Sequence, residues 1–260
     1  MHATERERLI LDLLQARGFI GFQELDQKVD ASPATIRRDL ERLATEGRIE
    51  RVRGGARLAG PAEAAAPERP HLRGVPFHEN IGRNTAQKEA IGRAAAELCH
   101  PGEAVIIDGG STTLQMCAHL EPLELQVLTN SLHIVSALLP QSNTRISIPG
   151  GSLFREQNII LSAFEDDGVS RYHASKMFLG AEAVGRHGIM QSDILLVQAE
   201  RRLLSRADEL VLLVDSSKFA ASAGHVVCGL DEIDVIVTDA GVTADQRRMC
   251  EAAGVRIVVA

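Results

Sequence analysis

The chain has 260 residues, 45% of them apolar, no tryptophan and a formal charge of −7, enough to bury one large domain or a small and a medium one. No run reaches the ~18 apolar residues of a membrane span. The start Met-His-Ala-Thr-Glu-Arg-Glu-Arg lacks a signal peptide's apolar core, so a cytoplasmic protein is expected. Cys99, Cys117, Cys228 and Cys250 have no paired spacing, which argues against a zinc or redox framework and predicts reduced core thiols.

Thr4 to Gln15 reads as a first helix, with Thr4 and Glu7 at capping-box spacing, Leu9 and Leu13 starting the apolar face, and Gly18 ending it. Phe19-Ile-Gly-Phe22 is short and apolar, a candidate strand. Gln23 to Val29 is a second helix, and Asp30-Ala-Ser-Pro33 is the turn into a third. Ser32 is a preferred N-cap, and Pro33 suits the first helical position because its missing N–H costs nothing there. Ile36, Leu40 and Leu43 recur at i, i+4 and i+7 as one apolar stripe. Thr35, Arg38 and Arg42 share another face, with Ala34 and Arg37 beside them.

This is helix-turn-helix spacing, and the third helix has the chemistry of a DNA reader. Small residues allow close approach, hydroxyls bond phosphates, and arginine forks onto guanine edges. An amphipathic helix with a solvated basic face would share the pattern, so its neighbours decide. Arg48 to Leu58 carries Gly54-Gly55 between extended residues, the signal of a hairpin. We read it as a wing whose Arg51, Arg53 and Arg57 meet backbone phosphates. The candidate DNA contacts are Ser32, Ala34, Thr35, Arg37, Arg38, Arg42, Arg51 and Arg53, within a DNA-binding domain spanning 1–58. The charge divides accordingly. Residues 33–57 hold seven arginines against four acids, a local +3, while 59–260 hold 17 Lys and Arg against 25 acids, or −8. A basic surface on an acidic body is compatible with DNA, since phosphates act over a Debye length of ~8 Å.

Residues 59–80 carry four prolines and little periodicity, and read as a linker. A helix is expected over Ile81–Leu98. β-like apolar runs then alternate with helical stretches, the pattern of a parallel α/β sheet. Strands are predicted at Ala104–Ile107, Leu125–Leu128, Arg145–Ile148, Lys176–Leu179, Glu209–Val214, Val235–Thr238 and Arg256–Val259. Helices are predicted at Thr112–His119, Leu132–Leu138, Asp193–Arg206 and Thr243–Ala253. The fold class is α/β: a winged helix-turn-helix domain followed by a larger parallel-sheet domain over 81–260.

A second site is legible in Val105-Ile-Ile-Asp-Gly-Gly-Ser-Thr-Thr113, an apolar strand, a glycine pair, then hydroxyls entering a helix. Glycines let the backbone approach a ligand, and helix N-termini attract anions. Asp108 at the strand's carboxyl end suits sugar hydroxyls, while Gly109, Gly110, Ser111, Thr112 and Thr113 suit a phosphate. Many strand–helix turns use such a loop for geometry alone. It is neither a Walker loop nor a dinucleotide fingerprint. Three later turns at strand ends join it as candidates: Thr129-Asn130-Ser131, Pro149-Gly150-Gly151, and Asp215-Ser-Ser-Lys218, where Lys218 supplies a cation. Asp166-Asp167 reads as a solvated loop. Ala199 to Leu204 reads as a charged helix face from which Glu200 or Arg202 could reach a sheet-end pocket. No histidine pair suggests a metal, no cofactor motif is present, and catalysis is not expected.

With these residues assembled, the chain resembles the DeoR family of bacterial transcriptional regulators along essentially its whole length. The match is carried by Ala34-Thr-Ile-Arg-Arg-Asp-Leu40, by Arg53-Gly-Gly-Ala56, and by Asp108-Gly-Gly-Ser-Thr-Thr113. Thr129-Asn-Ser131, Gly150-Gly151 and Asp215-Ser-Ser-Lys-Phe219 follow in the expected order. Gly151–Ser162 and Gln198-Ala-Glu200 look like the branch that serves ascorbate utilisation. Ser175 stands where the family commonly has Asp, and Arg201-Arg202 where it usually carries Lys. The resemblance implies a second domain similar to phosphosugar isomerases that senses phosphorylated sugars. It places Arg37 and Arg38 in the DNA-reading helix, and Gly110 to Thr113 with Lys218 in the effector pocket. The expected partners are double-stranded operator DNA, a phosphorylated sugar or sugar acid, and further copies of the chain. An isomerase with a DNA-binding appendage, using Asp108 as its acid–base group, is the alternative enzyme reading. A binding protein whose N-terminus docks another protein is a second alternative.

Overall fold

The computed structural model describes residues 3–17, 19–29, 31–46, 48–52, 55–58, 77–162 and 167–260. Gly18, Asp30, Arg53, Gly54, Asp166 and the stretch 59–76, all used above, lie outside the described residues. The chain divides into two compact units, Met1–Pro70 and His71–Ala260.

The first unit runs α1 (Ala3–Arg17), β1 (Phe19–Gly21), α2 (Phe22–Lys28), α3 (Pro33–Thr45), β2 (Ile49–Val52) and β3 (Gly55–Leu58). The strands form an antiparallel sheet in the order β1-β3-β2, with Phe19 opposite Arg57 and Ile49 opposite Leu58. Three helices on a small wing enclose a core of Ile10, Leu14, Ile20, Leu25, Ile36, Leu40 and Leu43. Each such burial contributes about 1.5–3 kcal/mol, more than the ~0–1 kcal/mol of a typical surface ion pair. The apolar stripe of α3 therefore sets how the helices stack. The cap expected at Thr4 lies outside the described side chains. Glu7 accepts from Arg42 and Arg48, charge-assisted contacts that a carboxylate favours.

The second unit continues with α4 (Phe77–Asn80), α5 (Thr85–Ala96), β4 (Ala104–Ile107), β5 (Gln126–Leu128), α6 (Leu132–Leu138), β6 (Arg145–Ser147), β7 (Ser152–Phe154) and β8 (Ile159–Leu161). After these come β9 (Ala174–Leu179), β10 (Ala183–Gly185), β11 (Gly188–Gln191), α7 (Ile194–Leu204), β12 (Ala207–Leu213), β13 (His225–Cys228), β14 (Val235–Thr238), α8 (Ala244–Ala252) and β15 (Arg256–Val259). The seven expected strands make one sheet, ordered β15-β14-β12-β9-β4-β5-β6, and every neighbouring pair is parallel. Their continuous apolar runs are explained by cover on both faces. Ile106, Met177 and Leu212 enter one core, while Val105, Phe178, Val211 and Leu213 enter the other. All four cysteines are buried free thiols, and burial pushes Cys99, Cys117 and Cys228 up to about 12.

Three expectations are corrected here. The stretch expected to link to residue 80 ends earlier, since Phe77–Asn80 is already helical and Phe77 is buried. The helix expected over Ile81–Leu98 begins only at Thr85 and ends at Ala96, after Asn84 takes a left-handed φ of 50° at its N-cap. The helix expected at Thr112–His119 is a 3-10 stretch, Thr113–His119. The β7–β8 hairpin and the β10-β11-β13 sheet were not foreseen.

The chain order places a site. From β4 the strands step one way through β5 to β6, then return to the other side of β4 with β9 and continue outward. The order reverses between β4 and β9, and ligands of open parallel sheets bind at the carboxyl ends there.

Candidate functional site

In the first unit, Ser32 caps α3 as expected, its Oγ accepting from Thr35 N at 3.3 Å and lying 2.9 Å from Thr35 Oγ1. Ala34, Arg37 and Arg38 are exposed, and Thr35 is half-buried. The Arg37 guanidinium stands 4.7 Å over the Phe22 ring, which braces it by a cation–π contact. Arg38 presents an open basic position one residue further along.

Arg42 does not share this freedom. It donates to Glu7 at 2.8 Å and to Glu46 at 3.2 Å, so it ties α3 to α1 rather than standing open for a base. Arg48 also donates to Glu7. The two arginines together hold the Glu7 carboxyl below its ordinary range, the Arg42 hydrogen bond contributing most. Arg51 lies on β2, opposite Ala56.

In the second unit the carboxyl ends of β4, β5, β9 and β12 surround one open cleft of about 890 Å³, the solvent at its mouth included. Asp108, Gly109, Gly110, Ser111 and Thr112 form one wall, joined by Asn130 and Lys218. Asp108 is 5% exposed. Burial raises its pKa, opposed by hydrogen bonds from the Gly109 N–H and the Asn130 side chain. A Cβ on Gly109 would sit 2.7 Å from Ile159 Cγ2, so the loop packs closely because it has none. Lys218 follows β12 in the turn Ser216–Ala220, which Asp215 caps.

Three of the expected effector residues do not line this cleft. Thr113 is fully buried, its hydroxyl donating to the Asp108 and Gly110 carbonyls at 2.8 and 2.9 Å. It fastens the loop from beneath. Gly150 donates its N–H to the Asp167 carbonyl at 2.9 Å. A Cβ on Gly151 would lie 2.4 Å from the Leu161 carbonyl oxygen, so this glycine serves the β7–β8 hairpin. With only a seven-residue 3-10 stretch after it, the loop carries little helix dipole. Its affinity for an anion rests on hydroxyls and on Lys218.

Other lining residues came from elsewhere. Phe77 and Asn80 of α4 reach the cleft, and Phe77 stacks on His133 with ring centres 4.0 Å apart. Burial lowers the His133 pKa. Lys88, fully buried, donates to the Asn80 carbonyl at 2.5 Å and fixes that residue from behind. Glu182, Gln191 and Glu200 also line the cleft. Glu200, expected from the sequence as able to reach a sheet-end pocket, lines the cleft from the buried stripe of α7 with Val197 and Leu203. Arg202 turns away to pair with Asp167 at 3.0 Å, and Arg201 donates to the Val227 carbonyl. Ser175 donates to Glu103 and the Ala104 carbonyl near the amino ends of β4 and β9, away from the cleft. Among the described residues no group of three or more His, Cys, Asp or Glu could hold a metal ion, and no helix is long and apolar enough to cross a membrane.

Two family models match: the DeoR-like helix-turn-helix domain over residues 6–61 and the DeoR C terminal sensor domain over 83–240. The chain belongs to the DeoR family. It is 32% identical over 258 residues to the HTH-type transcriptional regulator UlaR of Shigella dysenteriae serotype 1 and to that of Salmonella arizonae, covering 99% of this chain and of each relative. These relatives are named as regulators and not as enzymes, and the chain is accordingly a DNA-binding transcriptional regulator. Ribose 5-phosphate isomerase A of Methanocaldococcus jannaschii is a looser likeness, 18% identical with a TM-score of 0.39 over 52% of this chain and 55% of that one. At that score it bears on nothing further.

Proposed function

We propose that the chain is a cytoplasmic repressor of a carbohydrate-catabolic operon, released from its operator when a phosphorylated sugar or sugar acid enters the sensor cleft. The observation that carries this reading is the cleft at the strand reversal. There a buried Asp108, the hydroxyls of Ser111 and Thr112, and Lys218 converge, a pairing of hydroxyl acceptor with phosphate donors. The exposed Arg38, with Arg37 braced on Phe22, is the base-reading edge of α3.

One short recognition helix offers too little surface for operator affinity, so the working species is a homo-oligomer that pairs half-sites. A ligand in the cleft meets Phe77 and Asn80, near the start of the second unit at His71. Release requires different ligand affinities in the free and DNA-bound states, typically ~1–3 kcal/mol, and operator DNA must weaken ligand binding by the same factor.

The test is calorimetry with sugar phosphates, with and without operator, on the parent and on Thr112→Asp. The substituted protein should bind operator but lose the ligand through like-charge repulsion. Equal ligand affinity in the two proteins would rule out the site. Equal affinity with and without DNA would rule out the switch. Light scattering that shows a monomer on operator DNA would end the oligomer argument.

A further inference from the structure

The arginines of the first unit are held in two ways. Arg6 donates to Asp39 at 2.8 Å, Arg42 to Glu7 at 2.8 Å, and Arg48 to Glu7 as well. These three spend donors on carboxylates. Arg37 does not. Among the described residues it forms no ion pair, and its Cζ stands 4.7 Å from the centre of the Phe22 ring. Its side chain is exposed. An aromatic ring attracts a guanidinium through its charge and leaves the N–H donors unspent on any oxygen. The donors of the fork therefore stay available to an outside acceptor.

Phe22 is suited to give this support. It opens α2 directly after Gly21, and it is half-buried against the core shared by α2 and α3. A ring packed on a core has few rotamers left, whereas a free arginine has many to give up on binding. Immobilising one long side chain costs an interface about two- to tenfold in affinity. A ring that already holds the guanidinium meets part of that cost before DNA arrives.

Resting on the reading of α3 as the base-reading helix, we propose that Phe22 is the positioning residue for Arg37. It holds the guanidinium ready for the paired acceptors of a guanine edge. Phe22 acts without a hydrogen bond of its own, yet it sets how sharply the protein tells its operator from other duplexes.

The experiment uses the full chain and the duplex that the parent enriches from a randomised double-stranded pool. Preference is the affinity for that duplex over the affinity for an unselected duplex of equal length. Arg37→Ala should lower preference about fivefold or more. Phe22→Leu, which keeps an apolar group against the core, should lower it about two- to tenfold. Its salt slope should stay at the parent value, because no charge is removed. Phe22→Tyr, which keeps the ring, should hold the parent preference. In an Arg37→Ala background, Phe22→Leu should shift preference less than about twofold, since nothing is left to position. A purely structural role for the ring would give additive losses instead. Phe22→Met takes the place of Phe22→Leu if that variant does not fold. Preference unchanged or raised in Phe22→Leu, or losses that add to those of Arg37→Ala, would overturn the positioning role alone. If Arg37→Ala keeps the parent preference, Arg37 does not read bases, and the role assigned to Phe22 falls with it.

Discussion

Glu7 in the DNA-binding unit and Glu200 in the sensor are the same side chain in opposite surroundings. Glu7 sits at the surface between two arginines, which hold it ionised. Glu200 sits in an apolar stripe, where burial first and the charge of Asp108 after it push its pKa well above the usual carboxylate range. The contrast extends to the two sites. In the first unit the proposed contacts are exposed side chains carried on a small core. In the second the proposed site includes buried polar groups. Charge near a surface is positional, whereas charge in a cleft is chemical.

The sharpest way to test that contrast is Thr112→Asp. It should cost ligand affinity about 100-fold or more by like-charge repulsion, while retardation of operator DNA stays close to parent. Loss of operator binding as well would mean that the two units do not keep separate functions. Next in size, Arg38→Ala should remove ~1–3 kcal/mol of base discrimination, read as preference for native over mutated operator. Arg42→Ala should instead weaken all DNA similarly, because its partners are Glu7 and Glu46. If footprinting shows Arg42→Ala relaxing specificity as Arg38→Ala does, the division of the basic face is wrong.

Gly109→Ala should lower sensor stability by ~1–3 kcal/mol, the usual cost of overpacking, since its Cβ would press on Ile159 and Ser131. Denaturant unfolding followed in the second unit should show it, and an unchanged midpoint would mean the loop gives way freely. The smallest effect is in pH dependence, where the two glutamates should act with opposite sign. Glu7 has a depressed pKa, so its contribution is present above the ordinary carboxylate value and lost as pH falls through its folded value. Glu200 has a raised pKa, so the folded sensor holds a proton the unfolded chain has released. Its contribution grows as pH falls from neutral toward 4.5 and shrinks as pH rises. Thermal unfolding against pH for Glu7→Gln and Glu200→Gln should therefore change slope in opposite directions, and slopes changing the same way would contradict this reading of the two carboxyls.

What the sequence determined by itself was whatever depends on near neighbours. The N-cap of Ser32, the stripe of Ile36, Leu40 and Leu43, and the seven apolar runs of the sheet follow from capping and periodicity within a few residues. So does the glycine-rich turn at Asp108. What tertiary structure decided depends on neighbours far along the chain. Arg42 looked equivalent to Arg38 until Glu7, 35 residues earlier, met it. Gly150 and Gly151 looked like part of the ligand loop, but the packing of Asp167 and Leu161 assigns them to the hairpin. Thr113 differs from Thr112 only in which way the turn aims its hydroxyl. The acidity of the cleft is the clearest case. Asp108 and Glu200 lie 92 positions apart (200 − 108), and neither the cost of burying them nor their mutual repulsion exists until the fold brings both to one cleft.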